Sequence, residues 1–177
     1  MREIIKLGLI LLIITSVAGF ILGGVNSMTA GIIEERAIEE SLDAIEAFFP
    51  GLDDAGVVDD GDILAYELVE EVYEVLEGDT IIGYTIKTVA NGYDGPVVIL
   101  TGINMDGEIQ GIEILSQSET PGLGDRITEE DFKEQFVGQS TDSELEVDAL
   151  SGATVSRNAV VNGVSAAMDV FESKLRN

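Results

Sequence analysis

A long apolar run opens the chain. Residues 7–25 contain no charged side chain, and as a helix rising about 1.5 Å per residue they would extend roughly 28 Å, close to the hydrocarbon thickness of a bilayer. Arg2 and Lys6 precede this run, whereas Glu34 and Glu35 follow it. The positive-inside rule then predicts a single-pass anchor in the cell (inner) membrane, with a cytoplasmic N-terminus and the remaining chain on the extracytoplasmic side.

A cleaved signal peptide is the alternative interpretation of the same run. The small residues at 16–18 would form an acceptable cleavage site. The apolar run continues past that site through Phe20, Ile21 and Leu22, which favours the anchor. Residues 1–26 are therefore predicted to comprise the cytoplasmic N-terminus and a transmembrane helix.

Polarity rises after the run, but helical spacing persists. Apolar side chains recur every three or four residues and acidic residues hold the opposite face, which is the pattern of an amphipathic helix. The apolar positions are Ile32, Ile33, Ala37, Ile38, Leu42, Ile45, Phe48 and Phe49. Pro50 and Gly51 end the helix, and the acidic residues 53–62 form a link. Residues 27–62 are thus predicted as an amphipathic stalk helix and link, and the carboxylates of the link lack the spacing of an EF-hand, so no metal site is predicted.

Residues 63–116 have the pattern of strands joined by tight turns. Gly78 and Asp79 separate two partly alternating runs, and residues 91–95 precede the continuous apolar run at 97–100. Asp106 and Gly107 are a strong signal for a two-residue hairpin turn. The pattern predicts a twisted antiparallel sheet built from successive hairpins.

Two helices are predicted after the sheet. Thr128, followed by acidic residues at 129–131, indicates an N-cap and the first turn of a helix. The last helix ends near Lys174 and Arg176, whose charge suits a helix C-terminus, and it carries a stripe of core type. That stripe consists of Ala159, Val160, Val164, Ala167, Met168, Phe171 and Leu175. The predicted fold class is α+β, with residues 63–177 forming one domain in which helices flank the sheet.

Charge and missing residue types exclude several functions. The chain has 9 Lys and Arg against 34 Asp and Glu, a net charge of −25, which repels phosphate backbones and argues against nucleic acid as a partner. It contains no cysteine and no histidine, so iron–sulfur clusters, Cys/His zinc sites and His- or Cys-dependent catalytic triads are excluded. If this chain handles electrons, an organic cofactor must carry them.

Two stretches carry the candidate chemistry. Residues 118–125 place Pro121 and two glycines directly after a strand, which favours a tight loop with accessible backbone N–H groups, although a mere connecting turn is the alternative. Residues 148–154, Asp-Ala-Leu-Ser-Gly-Ala-Thr, crowd two hydroxyls, a glycine and an alanine at the start of the last helix. Free N–H groups and the positive end of the helix dipole suit a phosphate there, and a hydroxyl can bond a phosphate or be esterified to one. A plain helix cap is the alternative.

The chain resembles the G subunit of the Rnf electron-transfer complex and, more distantly, the C subunit of the sodium-translocating NADH:quinone oxidoreductase. The resemblance lies in the anchor, the glycine-rich sheet around Gly102 and residues 106–107, the Glu-Thr-Pro-Gly-Leu-Gly loop at 119–124, and the Asp-x-x-Ser-Gly-Ala-Thr motif at 148–154. It implies an FMN-binding domain and a flavinylation motif. Thr154 would carry FMN through a phosphoester that a separate flavin transferase makes from FAD.

The resemblance also implies roles for individual residues. The transferase would recognise Asp148, Ser151, Gly152 and Ala153, and the 119–124 loop would lie against the isoalloxazine. Arg157 is added from its position one turn into the last helix, where it could balance the phosphate charge. The residues expected to bind the cofactor are Glu119, Thr120, Gly122, Leu123, Ser151, Gly152, Ala153 and Arg157. No catalytic acid, base or metal ligand is predicted.

The function implied is an electron relay. The chain lacks a G-x-G-x-x-G dinucleotide motif, so NADH is not oxidised here. In an Rnf-type complex, the relay lies between reduced ferredoxin and NAD⁺, with other membrane and iron–sulfur subunits as partners and with sodium or proton export coupled to it. Two alternatives stay open: a stand-alone anchored flavoprotein for extracytoplasmic electron transfer, and a non-redox anchored binding or scaffold domain.

Overall fold

The computed structural model describes residues 2–176, with side chains described except at residues 3–5 and 25–40. The chain divides into two compact units, Met1–Glu39 and Glu40–Asn177, and each is described by itself. The side chains of Ile32, Ile33, Ala37 and Ile38 lie outside the described ones, so that part of the amphipathic stripe stays a prediction. The domain boundaries at residues 26 and 62 also stay predictions.

Helix α1 is Arg2–Phe48. Its stretch Lys6–Gly24, 19 residues with a mean hydropathy of 2.4 and exposed side chains, is long and apolar enough to cross a bilayer. The helix ends at the predicted place, immediately before Phe49, Pro50 and Gly51. Gly51 has a φ of +91°, the left-handed conformation that commonly closes a helix.

One antiparallel sheet contains five strands in the order in which they occur along the chain. The strands are β1 (Asp54–Val57), β2 (Val69–Glu77), β3 (Thr80–Asn91), β4 (Pro96–Asn104) and β5 (Ile109–Ser116). Each strand pairs with the next, which confirms the predicted antiparallel sheet and its succession of hairpins. The turn at residues 92–95 closes with a hydrogen bond from Gly92 N to Gly95 O, 2.8 Å.

The interpretation of residues 53–62 as a link is wrong in part, because it misses β1. Residues Asp54 to Val57 pair with residues Tyr73 to Leu76 of β2. The sequence carries little sign of a strand here because β1 is short, contains a glycine and lies at the edge of the sheet, where charged side chains are common.

The turn between β4 and β5 is longer than predicted. Asn104 N donates to Glu108 O and Gly107 N donates to Asn104 O, both at 3.0 Å, so residues 105–107 form a three-residue loop. A two-residue type I′ turn needs positive φ at both central residues. Gly107 has a φ of +82°, whereas Asp106 is not among the described residues with positive φ.

The predicted N-cap at Thr128 is also wrong. Residues Gly124–Thr128 form a 3₁₀ helix, and the Thr128 hydroxyl donates back to Asp125 O at 2.8 Å. The short helix α2, Glu130–Lys133, starts after Glu129, which makes no side-chain capping bond. Because the N-cap position of α2 is occupied by Glu129, Thr128 lies one residue too early to cap this helix.

The last helix, α3 (Thr154–Val170), covers one face of the sheet and continues as a π-helical turn, Phe171–Leu175. Its predicted stripe is buried against sheet residues that include Ile86, Ile99 and Ile103. Gly163 permits the close approach, since a Cβ there would lie 2.8 Å from Ile99 Cδ1. The stripe is therefore core, as predicted.

The end of α1 covers the opposite face of the sheet. Ile45 and Phe49 form a second buried cluster with Tyr73, Val75 and Leu100. Ile99 and Leu100 thus face different clusters, as alternate residues of a strand must. The sheet has helices on both faces, which confirms the α+β class.

Candidate functional site

A cavity of about 570 Å³ opens where three segments meet: the turn after β3, the loop after β5 and the start of α3. Its volume lies within the range of small-molecule sites. The residues that line it are Tyr93, Glu119, Thr120, Leu123, Gly124, Gly152, Ala153, Thr154, Val155 and Ser156. Both stretches that the sequence indicates as candidate chemistry therefore line the same cavity.

The loop after β5 is held by a tight turn. Thr120 O accepts hydrogen bonds from Leu123 N (3.1 Å) and Gly124 N (3.0 Å). Gly122 has a φ of +75°, the value required at the third position of a type II turn, and Pro121 occupies the favoured second position. The loop therefore has a fixed shape and presents Thr120 and Leu123 to the cavity.

A similar turn precedes α3. Ala153 N donates to Leu150 O at 3.0 Å, and Gly152 has a φ of +81°. The N-cap residue of α3 is Ala153, with no side-chain capping bond. The Thr154 side chain, on the first residue of the helix, is exposed at the cavity. A plain side-chain cap is therefore absent from this helix start.

The first amides of α3 also lie at the cavity. The first amide to bond in helical register is Arg157 N, which donates to Ala153 O at 2.9 Å. The preceding amides, those of residues 154–156, belong to the unpaired first turn that every helix has. Together with the helix dipole they give this side of the cavity a positive potential.

Glu119 joins the three segments. Its carboxylate Oε1 accepts from Tyr93 N at 2.8 Å and from Asp94 N at 3.3 Å. Its Oε2 accepts from the Ser156 hydroxyl of α3 at 2.5 Å. The side chain is 5% exposed. Glycine is required on both sides, because a Cβ at Gly124 would lie 2.6 Å from Oε2 and a Cβ at Gly92 would overlap Oε1.

Not all predicted site residues line the cavity. Gly122 and Ser151 lie in the two turns but outside the lining. Arg157 is turned away: its Nε donates to Asp148 O at 3.4 Å and its Nη2 to Val147 O. Arg157 thereby holds the backbone of residues 147–148, at the start of the motif. Its role in balancing the charge of a phosphate stays a prediction.

Sequence reasoning missed Tyr93, Val155 and Ser156. Tyr93 is 73% exposed and comes from a turn that the sequence marks only by its glycines. Ser156 follows Thr154 by two residues and is buried. A buried acidic residue in the 119–124 loop needs hydrogen-bond donors, but the sequence does not show which donors the fold brings to it.

Among the residues whose side chains the structure describes, none that lines the cavity is basic. Several basic side chains are instead bound to carboxylates. The pairs are Lys87 with Glu70 and Glu71, Arg126 with Glu129, Lys133 with Glu113 and Glu130, and Arg176 with Asp142 and Glu172. At Lys133, burial lowers the pKa of the ammonium, but hydrogen bonds from it to Glu113 and Glu130 outweigh burial and the pKa is raised.

The cavity lies in a part of the chain that matches a known protein family. A family model described as the FMN-binding domain matches residues 92–169. This range contains the turn at 92–95, the 119–124 loop, the 148–154 motif and most of α3. All three segments that form the cavity therefore lie within the matched region.

Relatives of similar length align over nearly the whole chain. The G subunit of the Na⁺-translocating ferredoxin:NAD⁺ oxidoreductase complex of Acetobacterium woodii is 36% identical, over 97% of this chain and 93% of its own length. The G subunit of the ion-translocating oxidoreductase complex of Methanosarcina acetivorans is 31% identical, over 98% of this chain and 97% of its own.

Solved structures show the same fold. The C subunit of the Na⁺-translocating NADH-quinone reductase of Parabacteroides distasonis aligns with a TM-score of 0.50 at 20% identity, over 70% of this chain and 79% of that one. NqrC of Shewanella oneidensis aligns with a TM-score of 0.51 at 18% identity, over 73% of this chain and 70% of that one. The resemblance noted from the sequence is confirmed: this chain belongs to the family of G subunits of ion-translocating oxidoreductase complexes.

Proposed function

We propose that this chain is a membrane-anchored electron-transfer subunit that carries FMN, esterified through its phosphate to the Thr154 hydroxyl. The observation that carries the proposal is the position of Thr154: an exposed hydroxyl on the first residue of α3, at the mouth of the cavity formed by the 119–124 loop. The match to an FMN-binding domain and the names of the relatives support the cofactor and the redox role.

The residues present fit such a group. The cavity offers apolar side chains for a flat ring in Tyr93, Leu123 and Val155, each of which is partly exposed there (73%, 47% and 49%). The unpaired amides of the first turn of α3 suit a phosphate. When bound, FMN supplies the one- and two-electron chemistry that the side chains of this chain cannot supply, and the protein contributes position and electrostatics.

A covalent bond would also compensate for the weak affinity that so acidic a chain has for an anionic cofactor. At a net charge of −25, the field of the protein opposes an anionic ligand outside local positive spots, and the described lining contains no basic side chain. An ester bond removes the need for high affinity. On the extracytoplasmic side of a membrane, where we place this domain on the basis of Arg2 and Lys6, a dissociated cofactor would also be lost by dilution.

Attachment requires a second protein. A flavin transferase would move the FMN half of FAD to the Thr154 oxygen, with AMP as the leaving product, and the hydroxyl proton goes to solvent. Asp148, Ser151, Gly152 and Ala153 are the residues that we propose it recognises. Of these, Asp148, Ser151 and Gly152 are exposed and therefore accessible to an enzyme.

The electrons would be relayed between redox centres of other membrane and iron–sulfur subunits, as in a ferredoxin:NAD⁺ complex coupled to ion export. The helix at Lys6–Gly24 would hold the domain at the bilayer. If the chain instead works alone, gentle solubilisation of the native membrane should release it without further subunits, whereas the complex predicts that they are retained together.

The decisive experiment combines intact mass with peptide mapping of the membrane-extracted chain, expressed with a flavin transferase. We expect the mass of FMN less one water on the peptide that contains Thr154, and no increment for Thr154→Ala. Thr80→Ala is the matched control, because it removes an exposed threonine at the start of β3, outside the cavity. The proposal fails if the wild-type chain carries no increment, or if Thr154→Ala retains stoichiometric FMN through extensive dialysis.

A further inference from the structure

Glu119 presents an unusual electrostatic arrangement. It is the single charged side chain among the described residues that line the cavity, and it is 5% exposed. Its partners in the structure are all donors: two backbone amides and the Ser156 hydroxyl. These three contacts suit a carboxylate, whose oxygens act as acceptors. No Lys or Arg whose side chain the structure describes forms an ion pair with it, since the described ion pairs all involve other carboxylates.

Keeping an unpaired negative charge in this place is costly. Removing a carboxylate from water without a cation carries a large desolvation penalty, and hydrogen bonds to the carboxylate oxygens oppose that penalty. Geometry alone does not demand the charge, because the amide of a glutamine could accept from Tyr93 N and Asp94 N as well. Because Glu119 lines the cavity, a charge on it acts on whatever occupies that space through the Coulomb interaction.

We propose that the Glu119 carboxylate lowers the reduction potential of the flavin in this cavity. This inference rests on the proposed function, because it requires FMN to be bound there. Electron uptake adds negative charge to the ring, and a fixed negative charge lining the same cavity makes that uptake less favourable unless a proton follows. Glu119 is therefore a positioning and tuning residue: it holds the loop to α3, and its charge biases the cofactor towards giving electrons away.

The test measures the midpoint potential of the FMN-loaded chain in alkaline buffer, where proton uptake compensates less of the added charge. Glu119→Gln removes the charge with little change of shape, and we expect a shift to a more positive potential. Glu119→Asp keeps the charge and should stay closer to wild type. Glu77→Gln is the matched control, since it removes an exposed charge at the end of β2. Glu77 pairs with Thr80 at the start of β3, and the cavity lies beyond the other end of β3, about 35 Å away along that strand. This change should leave the potential unchanged.

Ser156→Ala provides a test with the opposite sign. Removing the hydroxyl leaves the carboxylate with one donor fewer, so its charge is less compensated and the potential should become more negative. This variant decides the matter if Glu119→Gln does not fold, as judged by its thermal unfolding.

The possible outcomes distinguish a failure of the proposed function from a failure of the inference about Glu119. A wild-type chain without FMN overturns the proposed function, and the inference falls with it. A loaded wild-type chain whose potential is the same as that of loaded Glu119→Gln overturns the inference and leaves the proposed function intact. A folded Glu119→Gln that carries no FMN, beside a loaded Glu119→Asp, shows that the charge serves attachment instead, which also overturns the inference.

Discussion

Leu123 lies against Gly152, and this contact joins the two loops of the candidate site. A Cβ built on Gly152 would lie 3.3 Å from Leu123 Cδ2. A side chain at residue 152 would therefore crowd the tip of Leu123, which would have to shift by a few tenths of an ångström. Gly152 also has a φ of +81°, which residues other than glycine rarely adopt.

Gly152→Ala should lower both stability and FMN content. The positive φ costs about 1–2 kcal/mol of unfolding free energy, and the new methyl group crowds Leu123 Cδ2. Gly138→Ala is the matched control, because Gly138 has a φ of +78° with open space around it. Denaturant unfolding should show a similar loss for both variants, whereas mass spectrometry should show reduced FMN content for Gly152→Ala alone. Equal FMN content in the two variants would contradict the role of the contact.

Gly102→Ala should destabilise the packing of α1 on the sheet. A Cβ at Gly102 would lie 2.7 Å from Phe48 Cδ2, and overpacking of this kind typically costs about 1–3 kcal/mol. Combining Gly102→Ala with Phe48→Ala should cost less than the sum of the two single changes, because the clash disappears with the ring. Denaturant unfolding of the four chains gives the coupling free energy. If the two losses of unfolding free energy are strictly additive, Gly102 is not needed to make room for the Phe48 ring.

Arg157 should act on the geometry of the motif. Its guanidinium reaches the carbonyl oxygens of both Val147 and Asp148, which a single ammonium group cannot do with the same fork geometry. Arg157→Lys should therefore lose FMN loading nearly as much as Arg157→Ala, measured as the rate of FMN incorporation with a flavin transferase. If the positive charge balances the phosphate instead, Arg157→Lys should load like wild type.

Stability should fall at alkaline pH through Tyr73. Burial, followed by the hydrogen bond that its hydroxyl donates to Glu71, raises the pKa of Tyr73 above its usual value of 10.0. A group with a raised pKa in the folded state contributes stability that is present below the unfolded pKa and is lost as the pH rises through the folded pKa. Unfolding free energy should therefore decline above about pH 10, and less steeply in Tyr73→Phe. Parallel declines in both chains would place the effect elsewhere, for instance at lysines.

The sheet and the last helix follow from local signals in the sequence. Gly78 with Asp79 and the glycines of residues 91–95 mark turns whose flanking runs have strand periodicity, and the apolar stripe of α3 has helical periodicity. These signals depend only on residues that are close in sequence, so they can be recognised without knowledge of the fold. The errors arise where the surrounding structure decides. β1 is a strand because β2 offers it an edge, and Thr128 is not a cap because it ends the 3₁₀ helix Gly124–Thr128, so that Glu129 takes the N-cap position of α2.

The candidate site likewise has one part that the sequence predicts and another that it does not. The position of Thr154 at a helix start follows from the motif and the helical stripe. The role of Glu119 does not, because its donors come from Tyr93, Asp94 and Ser156, which lie 26, 25 and 37 residues away in the chain. Such distant partners meet only once the sheet and α3 are in place.

The order of the strands has a consequence for the way in which the domain folds. Every strand pairs with its neighbour in sequence, so the sheet can form by closing one short loop after another, which lowers the entropic barrier and favours rapid folding. The cavity differs, because it closes only when the last helix docks on the finished sheet. We therefore expect the cofactor site to be the last part of the domain to assemble, so that a chain able to accept FMN is one that has already completed its fold.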